Sequence, residues 1–235
     1  FWVTALLECF IRLEPQKAPP RQGAVAVIIG DLGESLRFLV REQPDILRLL
    51  LLAALSSFFV MGVAVVGMPY LVRTVLGLDA VWYGGAESAL AVAAILGSVA
   101  AGLFTGRTAF RRLSWVLASM GAFLIPAGVV LMLPAGNVTS FAVIAACFCG
   151  VQAAVSVYSI LAVSAVQQRT PAHMTGKVMA CAATLGLCAQ PAGQLVYGIL
   201  FDQAAGRPWL VLIPTGVVIM AVGVWSRRVL RGLTL

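Results

Sequence analysis

The sequence predicts an all-α fold, a polytopic membrane bundle of six transmembrane helices. Of its 235 residues, 61% are hydrophobic and only 11% are charged, whereas a soluble domain carries about 25% charged residues. Long stretches without Asp, Glu, Lys or Arg follow one another, and a helix needs about 20 apolar residues to cross a bilayer. Fourteen of the sixteen Lys and Arg residues then fall on one side of the membrane, which indicates the cytoplasmic side.

The predicted spans follow the uncharged stretches in order. The longest such stretch, 113–168, holds two spans, because the turn-forming residues Pro134, Gly136 and Asn137 divide it. The spans cover residues 46–72, 80–106, 113–133, 139–166, 175–201 and 208–227. The basic residues at 107–112, 169–177 and 227–231 share a side with those at 12–48. The linker and the C-terminus are therefore predicted to be cytoplasmic.

Residues 1–45 precede these spans. The apolar run Phe1–Ile11 is too short to cross a bilayer alone, and we interpret residues 1–12 as the end of a preceding transmembrane helix. Residues 13–45 form a polar, Pro-containing linker, in which Asp31 would cap an amphipathic helix. The apolar side of that helix would carry Leu32, Leu36, Leu39 and Val40. Such a helix would lie along the membrane surface, and residues 46–235 would form the six-span unit.

The composition argues against several classes of protein. The net charge of +7 would suit a nucleic-acid partner, but the basic residues lie in short segments beside apolar spans rather than on one basic face. The five cysteines lie in apolar stretches and His173 is the only histidine, so neither a disulfide framework nor a metal site is indicated. No catalytic motif and no phosphate-binding glycine loop is found. We therefore predict a protein without enzymatic activity, cofactor, metal or nucleic-acid partner.

Glu87 is the only acidic residue predicted to lie inside a span. It begins a stripe of small, weakly polar residues with helical spacing, whereas the other faces of that helix are apolar. The stripe continues with Ala91, Ala94, Ser98, Ala101 and Thr105. Because intramembrane carboxylates often belong to proton or substrate pathways, we expect Glu87 to face the bundle interior or a water-filled cavity. The alternative is a position near the interface, with a hydrogen bond to a neighbouring helix.

Polar stripes also mark the fourth and fifth spans. One stripe consists of Gln152, Ser156 and Ser159, and the other of Gly186, Gln190, Gln194 and Tyr197. A buried glutamine needs partners for its amide and its carbonyl, so these side chains either hold helices together or line a cavity. Both interpretations stay open for Gln152 and Gln190. Ser56 and Ser57 of the first span are weaker cavity candidates, because serine can bond its own helix backbone.

The turn between the second and third spans resembles the loop signature G-x-x-x-D-[RK]-x-G-x-[RK]-[RK] of the major facilitator superfamily. The residues that match are Gly102, Arg107, Arg111 and Arg112. Gly106 replaces the Asp of the signature and Ala109 replaces its second Gly. In that family a degraded copy of the signature lies between spans eight and nine. The resemblance thus implies that the chain is the C-terminal half, spans seven to twelve, of a transporter.

Two further segments look like the macrolide-efflux and siderophore-exporter branch of that superfamily. Residues 170–178, followed by 191–194 and 198–202, resemble the start of its span eleven. Residues 31–39 are similar to its linker before span seven. Together with the loop signature, these resemblances cover nearly the whole chain.

The resemblance implies a secondary active transporter that exports a hydrophobic or amphipathic small molecule in exchange for protons, by alternating access between two halves. Its partners would be the substrate, the proton, the lipid bilayer and the missing N-terminal half, in a plasma or bacterial inner membrane. Glu87, Gln152 and Gln190 would lie on spans that form the cavity. The three loop arginines would act at the cytoplasmic gate, or only orient the chain. A transporter-like lipid flippase and a non-transporting membrane scaffold are the competing functions.

Overall fold

The computed structural model describes residues 33, 37–104, 109–134, 136–172 and 174–231, and at 42, 104, 109–111 and 229–231 it describes the backbone only. Six long helices follow one another along these ranges, which contain no strand. They are α1 (Pro44–Val75), α2 (Ala80–Phe104), α3 (Ala109–Val130), α4 (Asn137–Arg169), α5 (Thr175–Gln203) and α6 (Trp209–Arg231). Each helix coincides with a predicted span to within a few residues. The predicted all-α membrane bundle is therefore confirmed.

Five of the helices in the described ranges, α1 to α4 and α6, are long and apolar enough to cross a membrane. Helix α5 has 29 residues, which is sufficient length, but it is not among the five. Its glutamines at 190 and 194 lower its hydropathy. The chain is thus a multi-pass membrane protein, and the crossing of α5 stays a prediction.

Helix α1 changes its hydrogen-bonding pattern halfway along its length. It begins as an α-helix at Pro44, a residue suited to the first helical position because its missing N–H has no partner there. After Gly62 come two π-helical segments, Val63–Gly67 and Tyr70–Val75, on either side of Pro69. Proline lacks the N–H that continues an α-helix, so Pro69 is a local cause of the change from α-helical to π-helical hydrogen bonding.

Most of the closest helix contacts join helices that are not consecutive in the chain. Helix α3 lies along α6 and α4, helix α4 also packs on α2, and α5 packs on α1. Glycines allow these contacts to be close: an added Cβ would meet the α6 backbone at Gly121 and the α1 backbone at Gly193. Small residues let membrane helices approach in this way.

Three turns lie at one end of the bundle, where α1 leads into α2, α3 into α4 and α5 into α6. Gly77 after α1 and Gly206 after α5 have φ angles of 63° and 80°, which favour glycine because other residues meet a steric clash there. The Asn137 side chain donates a hydrogen bond of 3.0 Å to the carbonyl of Leu76. The α3–α4 turn at residues 134–137, where the sequence predicts a break, is therefore tied to the end of α1.

The linker differs from its predicted pattern just before α1. Residues Phe38–Glu42 form a short π-helix, closed by a 3.0 Å bond from the Gln43 N–H to the Phe38 carbonyl. Phe38 and Leu39 are buried, whereas Val40 is 54% exposed. The wider π turn changes the angle between successive side chains, so Leu39 and Val40 do not share a face. Asp31, Leu32 and Leu36 lie outside the described residues.

Candidate functional site

A partly open cavity of about 590 Å³ lies between α1, α4 and α5, with Met120 of α3 also in its wall. Ligand pockets in proteins have volumes of about 300–1,000 Å³, so this one has room for a drug-sized molecule. It is lined by residues 49–61 of α1, 155–166 of α4 and 179–190 of α5. These are the first half of α1, the second half of α4 and the first half of α5. Since consecutive spans alternate in direction, the cavity occupies one end of the bundle.

The polar groups of the cavity wall are few and neutral. They come from Ser56, Ser57, Tyr158, Ser159 and Gln190. The Tyr158 side chain is 5% exposed and interacts with the Ser56 side chain across the gap between α4 and α1. The Ser56 hydroxyl donates a 2.8 Å bond to the Ala53 carbonyl of its own helix. A polar junction between α1 and α4 thus forms part of an otherwise apolar wall.

Gln190 is half-buried and lines the cavity. Among the residues that the structure describes, its carboxamide makes no hydrogen bond, and no buried polar side-chain atom is left without a partner. Its polar atoms are therefore accessible rather than buried, and they can bond a ligand in the cavity. Of the predicted polar stripes, Ser159 and Gly186 reach the cavity as well.

The other members of those stripes lie elsewhere. Gln152 and Gln194 are half-buried outside the cavity wall. Tyr197 is buried, and its hydroxyl lies 2.9 Å from the Thr215 hydroxyl of α6. An added Cβ at Gly62 would meet the Tyr197 ring. Tyr197 thus packs between α5, α1 and α6, outside the cavity wall.

Helices α1 and α5 are in close contact beside the cavity. Gly193 of α5 lies against the backbone of Phe58 in α1. Further along the same two helices, the Tyr70 and Phe201 rings are 5.2 Å apart. No described residue of α5 beyond Gln190 lines the cavity, and we interpret the contact between α1 and α5 as its closed end.

Glu87 is exposed and lies outside the cavity. It interacts with the Tyr83 side chain, one turn earlier on α2. This placement differs from the predicted orientation toward the interior of these helices. The reason is the closest approach of α2 to α4 at Gly97 and Ala153, which turns a neighbouring face of α2 inward. The buried positions on α2 are Ala86, Ala93, Gly97 and Ala101, and of the predicted stripe only Ala101 is among them.

The residues of the loop signature are described only in part. Gly102 is exposed, and an added Cβ there would have no neighbour within 4 Å. Arg112 is exposed near the start of α3. Arg107 lies outside the described residues, and at Arg111 only the backbone is described.

Sequence reasoning missed Tyr158 and three methionines of the cavity wall, Met61, Met120 and Met179. A tyrosine within an uncharged span is a usable signal, because a buried hydroxyl usually has a hydrogen-bond partner. Methionines carry no such signal, since they are equally common in apolar cores.

The model of one protein family, the Major Facilitator Superfamily, matches residues 2–193. The match includes α1 to α4 and the part of α5 that lines the cavity. No curated protein and no solved structure matches the chain significantly.

Proposed function

Since the chain belongs to the Major Facilitator Superfamily, a family of membrane transporters, we propose that it is a secondary active transporter that exports a hydrophobic or amphipathic small molecule in exchange for protons. The observation that carries this proposal is the cavity between α1, α4 and α5. Its wall is mostly apolar with a few neutral hydrogen-bonding groups, which suits an amphipathic substrate. The likeness of residues 170–178 to the macrolide-efflux and siderophore-exporter branch favours the same substrate class and direction.

Alternating access would use the closed contact between α1 and α5. The cavity lies in the half of the bundle where α4 ends at Arg169 and α5 begins beside Lys177, which the positive-inside rule assigns to the cytoplasm. We therefore interpret this arrangement as open to the cytoplasm and sealed on the outside by Gly193, Phe58 and their neighbours. Arg107, Arg111 and Arg112 would close the cytoplasmic side in the opposite state, and the membrane would be the plasma or bacterial inner membrane.

The proposal includes a second six-span unit, the N-terminal half, that completes the wall of the cavity. Only three of the six helices supply nearly all of the lining. The exposed face of α2 carries large apolar side chains, among them Ile95, Leu96 and Val99. A second half packed near these helices would enclose the substrate between two units, which is the usual arrangement of such carriers.

Glu87 is the proposed proton-coupling residue, because it is an acidic residue inside a membrane span and such residues often carry protons. The test uses the full-length protein in proteoliposomes and measures efflux driven by an imposed pH gradient. With Glu87→Gln we expect gradient-driven transport to fall to the level of downhill exchange, because an amide cannot release a proton. Asp79→Asn, the same change at an exposed residue in the turn before α2, should keep its coupling.

Undiminished coupling in the Glu87→Gln variant would show that this carboxylate carries no proton. Transbilayer movement of a labelled lipid without small-molecule efflux would indicate the flippase instead. If neither lipid nor small molecule moves, a non-transporting scaffold becomes the better interpretation.

A further inference from the structure

We propose that the cavity selects an uncharged ligand and that the Gln190 carboxamide binds the polar end of that ligand. The inference rests on the proposed function, because it names the substrate class of the same cavity. It concerns binding, however, and can be measured without transport.

The first argument is the absence of charge in the cavity wall. Of the 21 described residues that line the cavity, none is Asp, Glu, Lys, Arg or His. An ion that enters an apolar site loses its hydration, and the loss is large unless a counter-charge or several hydrogen bonds replace the water. The wall contributed by these helices has no counter-charge to offer. A neutral ligand meets no such penalty along this part of the wall.

The second argument is that some polar groups of the cavity wall already interact with other described protein groups, whereas the Gln190 carboxamide does not. The Ser56 hydroxyl donates a hydrogen bond to the Ala53 carbonyl, and the Ser56 and Tyr158 side chains interact with each other. Ser57 and Ser159 offer single rotatable hydroxyls, which can turn to their own helix backbone. Gln190 presents a planar pair of donor and acceptor with no protein partner among the described residues. It can therefore form two parallel hydrogen bonds to an amide, carbamate or urea group.

The third argument is the position of Gln190 at the closed end of the cavity. Gln190 comes three residues before Gly193, whose backbone lies against Phe58, so it is about 4.5 Å along the helix from the contact that seals the cavity. A polar group bound there is shielded from water on the sealed side. Hydrogen bonds are stronger in such a low-dielectric setting.

The remaining wall suits an apolar body of variable shape. Met61, Met120 and Met179 come from three different helices, and methionine adapts its side chain to irregular neighbours. The ligand class is therefore a neutral amphipathic molecule with one amide-like group and an apolar body that fits about 590 Å³.

The test is a binding measurement on the purified full-length protein with three dansyl probes. The probes share the fluorophore and an alkyl chain, and they end in a carboxamide, a carboxylate or a trimethylammonium group. We expect the carboxamide probe to bind at least about tenfold more tightly than either charged probe. Gln190→Leu should weaken carboxamide binding by about three- to tenfold for each of the two hydrogen bonds lost, the range of an ordinary hydrogen bond. Gln203→Leu, the same change at an exposed position of the same helix, should leave it unchanged.

A second variant guards against a folding defect in the first. Gln190→Glu keeps the shape of the side chain but adds a negative charge, so it should weaken carboxamide binding and improve binding of the trimethylammonium probe. A reversal of preference cannot come from unfolding. Wild-type binding of a charged probe as tight as that of the carboxamide, or unchanged carboxamide binding in Gln190→Leu, would overturn the inference while the transport proposal stands. Binding as expected without gradient-driven flux would overturn the transport proposal alone.

Discussion

The contact between α1 and α5 should be intolerant of a single added methyl group at Gly193. A Cβ at this position would lie 2.9 Å from the Phe58 carbonyl carbon and 3.1 Å from its Cα, whereas nonbonded carbon atoms prefer about 3.5–4.0 Å. The two helix backbones must therefore move apart by about 0.5 Å or more. Overpacking of this kind costs about 1–3 kcal/mol. Because α1 and α5 form two walls of the cavity, the added methyl group should also loosen its sealed end.

Gly198 provides the matched control, since a Cβ there has no neighbour within 4 Å. Replacing either glycine by alanine raises helix propensity by the same amount, about 1 kcal/mol, so the difference between the two variants isolates the packing cost. We expect Gly193→Ala to be less stable than Gly198→Ala by about 1–3 kcal/mol. Thermal unfolding in detergent, followed by tryptophan fluorescence, measures the difference at about 2–4 °C per kcal/mol. If Gly193→Ala unfolds at the same temperature as Gly198→Ala or above it, the tight α1–α5 contact is refuted.

Two further predictions concern the turns and the membrane topology. Asn137→Ala removes the 3.0 Å hydrogen bond to the Leu76 carbonyl. Hydrogen exchange at residues 71–78 should speed up, and the free energy of unfolding should fall by about 0.5–1.5 kcal/mol. Unchanged exchange would show that the bond does not hold the turn. If α5 crosses the membrane, cysteines introduced at the exposed residues Ala172 and Ala205, in a variant without native cysteines, should react with an impermeant maleimide from opposite sides. Labelling from the same side would mean that α5 does not cross.

The sequence predicted where the helices lie better than it predicted which side of each helix is buried. The uncharged stretches located all six helices, because charged residues are too costly inside a bilayer to be placed freely. The polar stripe of α5 led to Gln190, which the structure places in the cavity wall. The same reasoning chose an interior position for Glu87, which the structure exposes. On a helix of nearly uniform apolarity, the pattern alone does not say which face a neighbour will cover.

Close contacts between particular residues decide which helix covers each face of a neighbour. The sequence alone does not show which residues make those contacts. Gly97 turns one side of α2 toward α4, and Gly193 brings α5 onto α1, but glycines are frequent throughout these helices. The cavity forms where α1, α4 and α5 converge, on one side of the contact that Gly193 makes with α1. The sequence alone determined that the chain is a helical membrane protein, since composition and charge spacing are one-dimensional properties. Only the tertiary structure decided which polar residues share a cavity, because that depends on the rotation of packed helices.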